Sequence, residues 1–370
     1  MDLQETEQEL LFRAEARSWL SENVPVGLPS GDTAEGFAAH LEWERQLHAA
    51  RWAAVSWPDA YGGRDASVWQ WLAFEEEYYR AGGPQRVTQN GIFLLAPTLF
   101  AFGTQEQKDT LLPRMAAAQD LWCQGWSEPG AGSDLASLTS RADKVDGGWR
   151  LNGQKTWTTR GAFCTHLFGL FRSDPSSARH HGLTYLLVPL SSPGVTVRGF
   201  ARLDGDEGFA EVFFDDVFVP DSAVLGGVGE GWSVAMATTG SERGLTLRSP
   251  GRYSATVSRL LELPGAASAP ERIAQAWMDA EAYRLFTLQQ VSNEQAGRGR
   301  QGESSLTKLF WSELDIRLHE LALDLLGPEA ELEGPWSKGF QFALSGPIYA
   351  GTNEVQKNIV AERLLGLPRK

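Results

Sequence analysis

The sequence predicts a multi-domain α+β protein in which a helical segment, a β-domain and a second helical segment follow one another. Three observations carry this. Apolar residues recur at helical spacing over residues 1–120. Short β-branched and aromatic runs, separated by Gly, Asp, Asn and Pro, fill residues 121–228. Long amphipathic patterns then return over residues 229–370, after "GGVGEGW" (226–232). A chain of 370 residues can bury a large core and form several packed layers.

In the first segment Leu10, Leu11, Ala14 and Leu20, and later Trp71, Leu72, Phe74 and Tyr78, lie at helical intervals. "WPDAYGGRD" (57–65) interrupts them as a Pro/Gly loop. Thr104 is a plausible N-cap with Gln107 as its capping-box partner, and Pro113 is expected to end or bend that helix. The strand candidates are "SRADKVDGGWRLNGQKTWTT" (140–159), "HLFGLFRS" (166–173), "GLTYLLVPL" (182–190), "GVTVRGFARL" (194–203) and "AEVFFDDVFVP" (210–220). "DGG" and "LNG" are turn signals, and "DPSSARHHG" (174–182) is a polar loop. Two long helices are expected in "PERIAQAWMDAEAYRLFTLQQVSNEQAGRG" (270–299) and "SSLTKLFWSELDIRLHELALDLLG" (304–327), the second closed by Gly327.

Composition narrows the function. Apolar content of 42% and charged content of 22% are ordinary for a globular protein. The net charge of −14, with no basic run, argues against nucleic acid or an anionic membrane as partner. An anionic ligand would have to be met locally, by backbone amides or a few Arg and Lys. No apolar run approaches the ~20 residues of a membrane span. The acidic, amphipathic start reads as neither signal nor transit peptide, and Cys123 and Cys164 are too few for a disulfide framework. A cytoplasmic location is expected. The 14 Trp and 18 Phe read first as an aromatic core, with a flat pocket for a planar ligand as the functional alternative.

Several familiar chemistries find no motif. Of the histidines (His40, His48, His166, His180, His181 and His319), the adjacent pair His180–His181 sits in a polar loop with no Cys or carboxylate at metal-ligand spacing and reads as solvent-exposed. There is no P-loop and no G-x-S-x-G elbow. "GGVGEG" (226–231) lacks βαβ context and reads as a hinge.

Two blocks are more specific. One is "WCQGWSEPGAGSDLASLTSRA" (122–142) with "LNGQKTWTTRGA" (151–162); the other is "YAGTNEVQKNIVAERLLGLPR" (349–369). With "APTLFAFGTQEQKDTLLP" (96–113) and "EVFFDDVFVPDSAVLGGVGEGW" (211–232), they resemble the acyl-CoA dehydrogenase family, in the same motif order over nearly the whole chain. The resemblance implies an N-terminal helical domain, a middle β-barrel-like domain and a C-terminal four-helix bundle, with FAD between the last two. It places Trp157 on the flavin ring, Thr159 as donor to the ring N5, and Trp126 and Ser127 at the pyrimidine edge. Ser133 becomes the pyrophosphate contact in a Gly-loosened loop, whose run of backbone N–H groups suits anionic oxygen. Thr352 and Glu354 become cofactor contacts of the same or a neighbouring subunit.

The reaction implied by the resemblance removes an α-proton from an acyl thioester while the β-hydride passes to flavin N5. Many members carry the glutamate base immediately before the C-terminal Gly-Thr, where this chain has Ala350. Other members place it on a bundle helix in an "-x-E-R-" context, and "ATTGSERGLTLRSPGRY" (237–253) puts Glu242–Arg243 at that point. Glu242 is therefore the candidate base. The thioester oxygen is polarised in the family by a flavin ribityl hydroxyl and the backbone N–H before Gly-Thr, a donor that Ala350 retains. Gly240 and Gly244 flank Glu242, and two glycines in a helix ask for a reason such as close approach of a bulky acyl group. Arg243, Tyr349 and Gly351 complete the candidate substrate contacts.

The chain also departs from the family. Homotetrameric members carry R-x-x-F-G in the bundle; here "LLELPGAASAPERIAQAWMDAEAYRLF" (260–286) has no such motif. The pattern resembles actinobacterial subunits that form α2β2 heterotetramers in steroid side-chain breakdown. Expected partners are therefore an acyl-CoA, an electron-transfer flavoprotein, and either identical subunits (a homodimer or tetramer) or a second, related subunit. Two alternatives share the fold: a non-catalytic subunit completing another's FAD site, and a flavin monooxygenase or nitroalkane oxidase.

Overall fold

The computed structural model describes residues 4–243, 249–300 and 302–368, and of 241–243 only the backbone. Before the sheet come α1 (Glu7–Asn23), α2 (Ala34–Ala49), α3 (Val68–Arg80), α4 (Ala96–Phe102) and α5 (Gln105–Ala116). The strands are β1 (Trp122–Gly125), β2 (Arg141–Val145), β3 (Gly148–Thr159), β4 (His166–Arg172), β5 (Leu183–Pro189), β6 (Val195–Phe200) and β7 (Phe209–Pro220). The helices α6 (Gly231–Arg243), α7 (Pro250–Leu260), α8 (Pro270–Gln295), α9 (Glu303–Leu326), α10 (Pro335–Ala343) and α11 (Asn353–Ile359) follow. This is the helix–sheet–helix order that the hydrophobic periods predict. Among the described residues no helix is long and apolar enough to cross a membrane.

Local signals explain most boundaries. Thr104 Oγ1 accepts from the Gln107 amide and Gln107 Oε1 from the Thr104 amide, the expected capping box. Gly327, in a positive-φ conformation, closes α9. Two details differ from the sequence reading. The helix α5 runs through Pro113: the ring costs one backbone donor, yet the Pro113 carbonyl still accepts from Ala117 at 3.0 Å and closes the last turn. In α1 the buried stripe is Phe12, Ala16 and Leu20, while Leu10 and Leu11 are 52% and 66% exposed. A stripe of about 100° admits one of two registers, and the apolar pair at 10–11 falls outside it.

The chain forms two compact units. A bundle unit comprises Met1–Val26, Ala66–Pro84 and Arg243–Lys370, and a sheet unit comprises Gly27–Asp65 and Gln85–Glu242. Thus α1 and α3 join the C-terminal helices. In the bundle unit α3 packs on α1 and α7, and α9 packs on α8, α10 and α11. Tyr253, Ile273, Tyr283, Trp311, Leu314 and Leu318 form its core. In the sheet unit the strand order is β1-β4-β2-β3-β7-β6, with β5 on β4. Cys123, Trp149, Leu151, Phe171, Leu186, Val212 and Phe214 fill the core on the sheet. The long β3–β7 ladder slips register between Lys155 and Thr158, and this slip shapes the candidate site.

Candidate cofactor and substrate site

The register slip expels one side chain. Trp157 sits in the bulge at φ 59°, and its indole is 61% exposed. A large aromatic in the left-handed region carries a backbone cost, and exposing it forgoes burial, so the arrangement asks for a ligand rather than a packing reason. Phe200 and Phe209 buttress the indole edge-on at 5.2 and 5.6 Å, leaving a ring face free for a planar partner. Thr159, paired with Phe209 across the ladder, follows two residues later and is half-buried. Most of the other tryptophans, Trp43, Trp52 and Trp311 among them, are core residues.

The facing segment leaves β1. Trp126 is buried with its Nε1 unpartnered, and the Ser127 carbonyl accepts from the Thr156 amide at 2.9 Å. This bond ties the two candidate flavin-edge segments together. Beyond it, residues 128–131 with Ser137, Thr139 and Gln154 line a cavity of about 300 Å³. A Cβ on Gly130 or Gly132 would meet nothing, so these glycines are not needed to pack the protein against itself. They leave room for a group approaching the backbone. Ser133, exposed in this loop, and the uncovered Trp157 face fit a dinucleotide cofactor with a planar ring.

Beneath these segments lies a buried ion pair that the sequence reading did not single out. Lys155 is fully buried; its Nζ donates to Glu128 Oε1 at 2.8 Å, to the Leu170 carbonyl at 2.7 Å and to the Trp126 carbonyl at 3.4 Å. Glu128 also accepts from the Thr139 amide and hydroxyl and from the Ser140 amide. Burial pushes the Glu128 carboxyl up, but Lys155 and these donors outweigh it and hold it down at about 2. For Lys155 burial wins and lowers the ammonium to about 8, against the pull of Glu128. The signal was present as E-P-G and G-Q-K-T in the two stretches of the first motif block. A Lys and a Glu 27 residues apart announce no pairing until β3 is folded beside β1.

In the bundle unit the C-terminal turn is built around Ala350. Ala350 and Gly351 have φ of 55° and 78°. The buried Gln356 donates through Nε2 to the carbonyls of both, at 3.0 and 3.1 Å. Thr352 caps α11, accepting from Val355, and Asn353 donates its amide to Pro347 at 2.8 Å. The buried Lys308 and Ser312 of α9 hold Asn353 Oδ1 at 2.7 and 3.2 Å. Among the described residues the Ala350 N–H has no acceptor. Tyr349 packs at 5.9 Å from Trp311 and 6.4 Å from Phe342. Glu354 is exposed, and the α11 N-terminus and Thr352 hold its carboxyl below its usual range. Gln356→Ala is expected to leave the core intact and to loosen this turn, lowering kcat about tenfold at little changed FAD content; steady-state kinetics with flavin absorbance checks both.

Glu242 and Arg243 end α6, but their side chains lie outside the described residues, as does Gly244 altogether. Gly240 is exposed in the last turn of α6, where a Cβ would meet nothing. Trp126, Ser127, Ser133, Trp157 and Thr159 therefore come together in the sheet unit, and Tyr349, Ala350, Gly351, Thr352 and Glu354 in the bundle unit.

The exposed flat aromatic in a bulge and the Gly-loosened loop of the sheet unit suit a planar dinucleotide cofactor, and the bundle unit presents the Ala350 amide in a turn held by Gln356. The comparisons with known proteins name the class. The family models for the acyl-CoA dehydrogenase N-terminal, middle and C-terminal domains match residues 6–119, 123–217 and 229–365. The chain is 41% identical to the acyl-CoA dehydrogenase IpdE1 of Mycobacterium tuberculosis, over 97% of this chain and 98% of that protein. It is 40% identical to the IpdE1 of Mycolicibacterium smegmatis, with the same coverage. Among solved structures it superposes on the ChsE4–ChsE5 complex from M. tuberculosis with a TM-score of 0.85 and 27% identity, both chains fully covered. On the Tcur3481–Tcur3483 steroid ACAD the TM-score is 0.87 at 25% identity, again with full coverage. The chain belongs to the acyl-CoA dehydrogenase family. It is an oxidoreductase acting on CH–CH groups, and its cofactor is FAD.

Proposed function

We propose that the protein dehydrogenates a bulky acyl-CoA, branched or of steroid-side-chain type, with Glu242 as base. The observation that carries the reading is the Ala350 turn: the residue lacks a carboxylate, yet its amide is framed by Gln356 and has no acceptor of its own among the described residues. A developing enolate oxygen is the partner such a donor suits. The acyl α-proton then goes to Glu242, the general base of this reading. FAD, when bound, supplies the acceptor for the hydride leaving the β-carbon, so that an α,β-double bond remains. Trp157 and Thr159 hold the ring, Trp126 and Ser127 its pyrimidine edge, Ser133 the pyrophosphate, and Thr352 and Glu354 complete the cofactor contacts. Tyr349, Gly351, Gly240, Arg243 and Gly244 line the acyl group. The small side chain at 350 and the glycines at 240 and 244 support a wide substrate. The steroid ACAD among the structural relatives supports the same class.

Those relatives are complexes of two named components, and the R-x-x-F-G contact is missing here, which together support an assembly with a second, related subunit. An electron-transfer flavoprotein is the acceptor in this reading, and the cytoplasm its place of action. The test is anaerobic titration of the purified chain, alone and with its companion subunit, with straight, branched and steroid-side-chain acyl-CoAs. Bleaching of the flavin by the bulky thioesters is expected. Bleaching by short straight chains alone overturns the substrate class, and rapid oxygen consumption by the reduced flavin would make the protein an oxidase or monooxygenase.

A further inference from the structure

An arginine in the bundle unit is only partly used by the protein. Arg252 lies in the first turn of α7, with its side chain 23% exposed. Its Nη2 donates to Asp315 Oδ2 on α9 at 3.1 Å, and its remaining N–H groups have no acceptor among the described residues. Burial works against the charge, but Asp315 outweighs it and keeps the guanidinium firmly protonated. A guanidinium carries five donors in a fixed fork, so most of this one's capacity is unspent in a largely shielded place.

Its position relates it to the acyl site. Trp311 and Asp315 stand four residues apart on α9, hence one above the other on the same face. Trp311 carries the Tyr349 ring, next to Ala350, and Asp315 carries Arg252. Tyr349, Tyr79 and Tyr253 all lie within electrostatic reach of the guanidinium. The spare donors thus belong to a side chain held one helical turn along α9 from Trp311, the residue on which Tyr349 packs.

We propose that Arg252 is a specificity residue that donates a hydrogen bond to an uncharged oxygen, hydroxyl or ketone, on the acyl group. The inference rests on the acyl-CoA reading above. Asp315 decides the charge of the ligand. Buried at 3% exposure, it already neutralises Arg252, so a carboxylate on the acyl group would bring a second negative charge to a pair with no positive charge to spare. A neutral acceptor meets the free N–H groups without that conflict. A plain hydrocarbon chain at the same place would leave them desolvated and unpaired.

The experiment mixes the FAD-loaded protein, in its natural assembly, anaerobically with four matched acyl-CoAs. They differ at one distal carbon, which carries methylene, hydroxyl, ketone or carboxylate. Flavin reduction gives a rate and a Kd for each. The expected result is a preference of about tenfold or more for hydroxyl or ketone over methylene, with the carboxylate disfavoured. In Arg252→Met combined with Asp315→Asn, which leaves no lone buried charge, that ratio falls towards one. Arg252→Gln reports the same ratio if the double variant does not accumulate as folded protein. The proposal is overturned if the natural protein does not distinguish the thioesters, if it prefers the carboxylate, or if the ratio survives both variants. Failure of all four to bleach the flavin would remove the acyl-CoA reading itself.

Discussion

Glu242→Gln is expected to leave the protein yellow and to stop acyl-CoA from bleaching it. The amide matches the carboxylate in size, so folding and FAD binding should change little, while its oxygen cannot accept the α-proton at any working pH. A positioned general base contributes about 10²–10⁴-fold, and the rate of flavin reduction should fall within that range or below it. The thioester should still bind, because the Ala350 amide and the Gln356 frame are untouched. Rapid mixing with a bulky acyl-CoA, read at the flavin band, gives binding and reduction in one trace. Reduction at the natural rate would move the base to another residue or to a companion subunit. A carboxylate restored at the other family position, Ala350→Glu, is expected to rescue only in part. The longer side chain would take up the space beside the thioester that the small residue at 350 leaves in this reading. Full rescue with bulky thioesters would contradict the wide-pocket reading.

The order of helices and strands was readable because local pattern carries it: β3, β4, β5 and β7 fall on the short β-branched and aromatic runs, and α8 and α9 on the amphipathic ones. The candidate site residues were named from motif, through E-P-G-A-G-S-D, K-T-W-T-T and A-G-T-N-E. Its supports were not. Trp157 could be named from its motif, but that it is thrust outward depends on a register slip against β7, a property of two strands 50 residues apart. The Lys155–Glu128 pair, the Lys308–Asn353 bond and the use of Gln356 as a clamp are likewise meetings of distant residues that leave no local pattern. Nor did the periodicity announce that α1 and α3 pack with the C-terminal helices, since burial of a stripe does not say against what.

Lys155→Met is the substitution expected to cost most in stability. It removes the partner of a carboxylate that is 5% exposed and leaves an uncompensated charge in the sheet core, a loss of about 3–5 kcal/mol. The Trp126 and Leu170 carbonyls lose their donor as well, so the segment carrying Trp126 and Ser127 should loosen and FAD should be retained poorly. Denaturant unfolding of apo and FAD-loaded protein, with flavin content after gel filtration, measures both effects. The pH dependence identifies the cause. The Glu128 carboxyl is held at about 2 in the fold against its ordinary 4.5, so its contribution is complete above about pH 4.5 and disappears as pH falls towards 2. The stability gap between natural protein and variant should therefore narrow over that acid range. On the alkaline side Lys155 is lowered to about 8 from 10.5, so the natural protein alone should gain stability between those values as the unfolded chain holds the extra proton. Adding Glu128→Gln to Lys155→Met removes the stranded charge and should recover most of the lost stability without restoring the two carbonyl contacts. A single variant as stable as the natural protein, or a gap that does not change in acid, would mean that the pair is not what holds the two cofactor segments together.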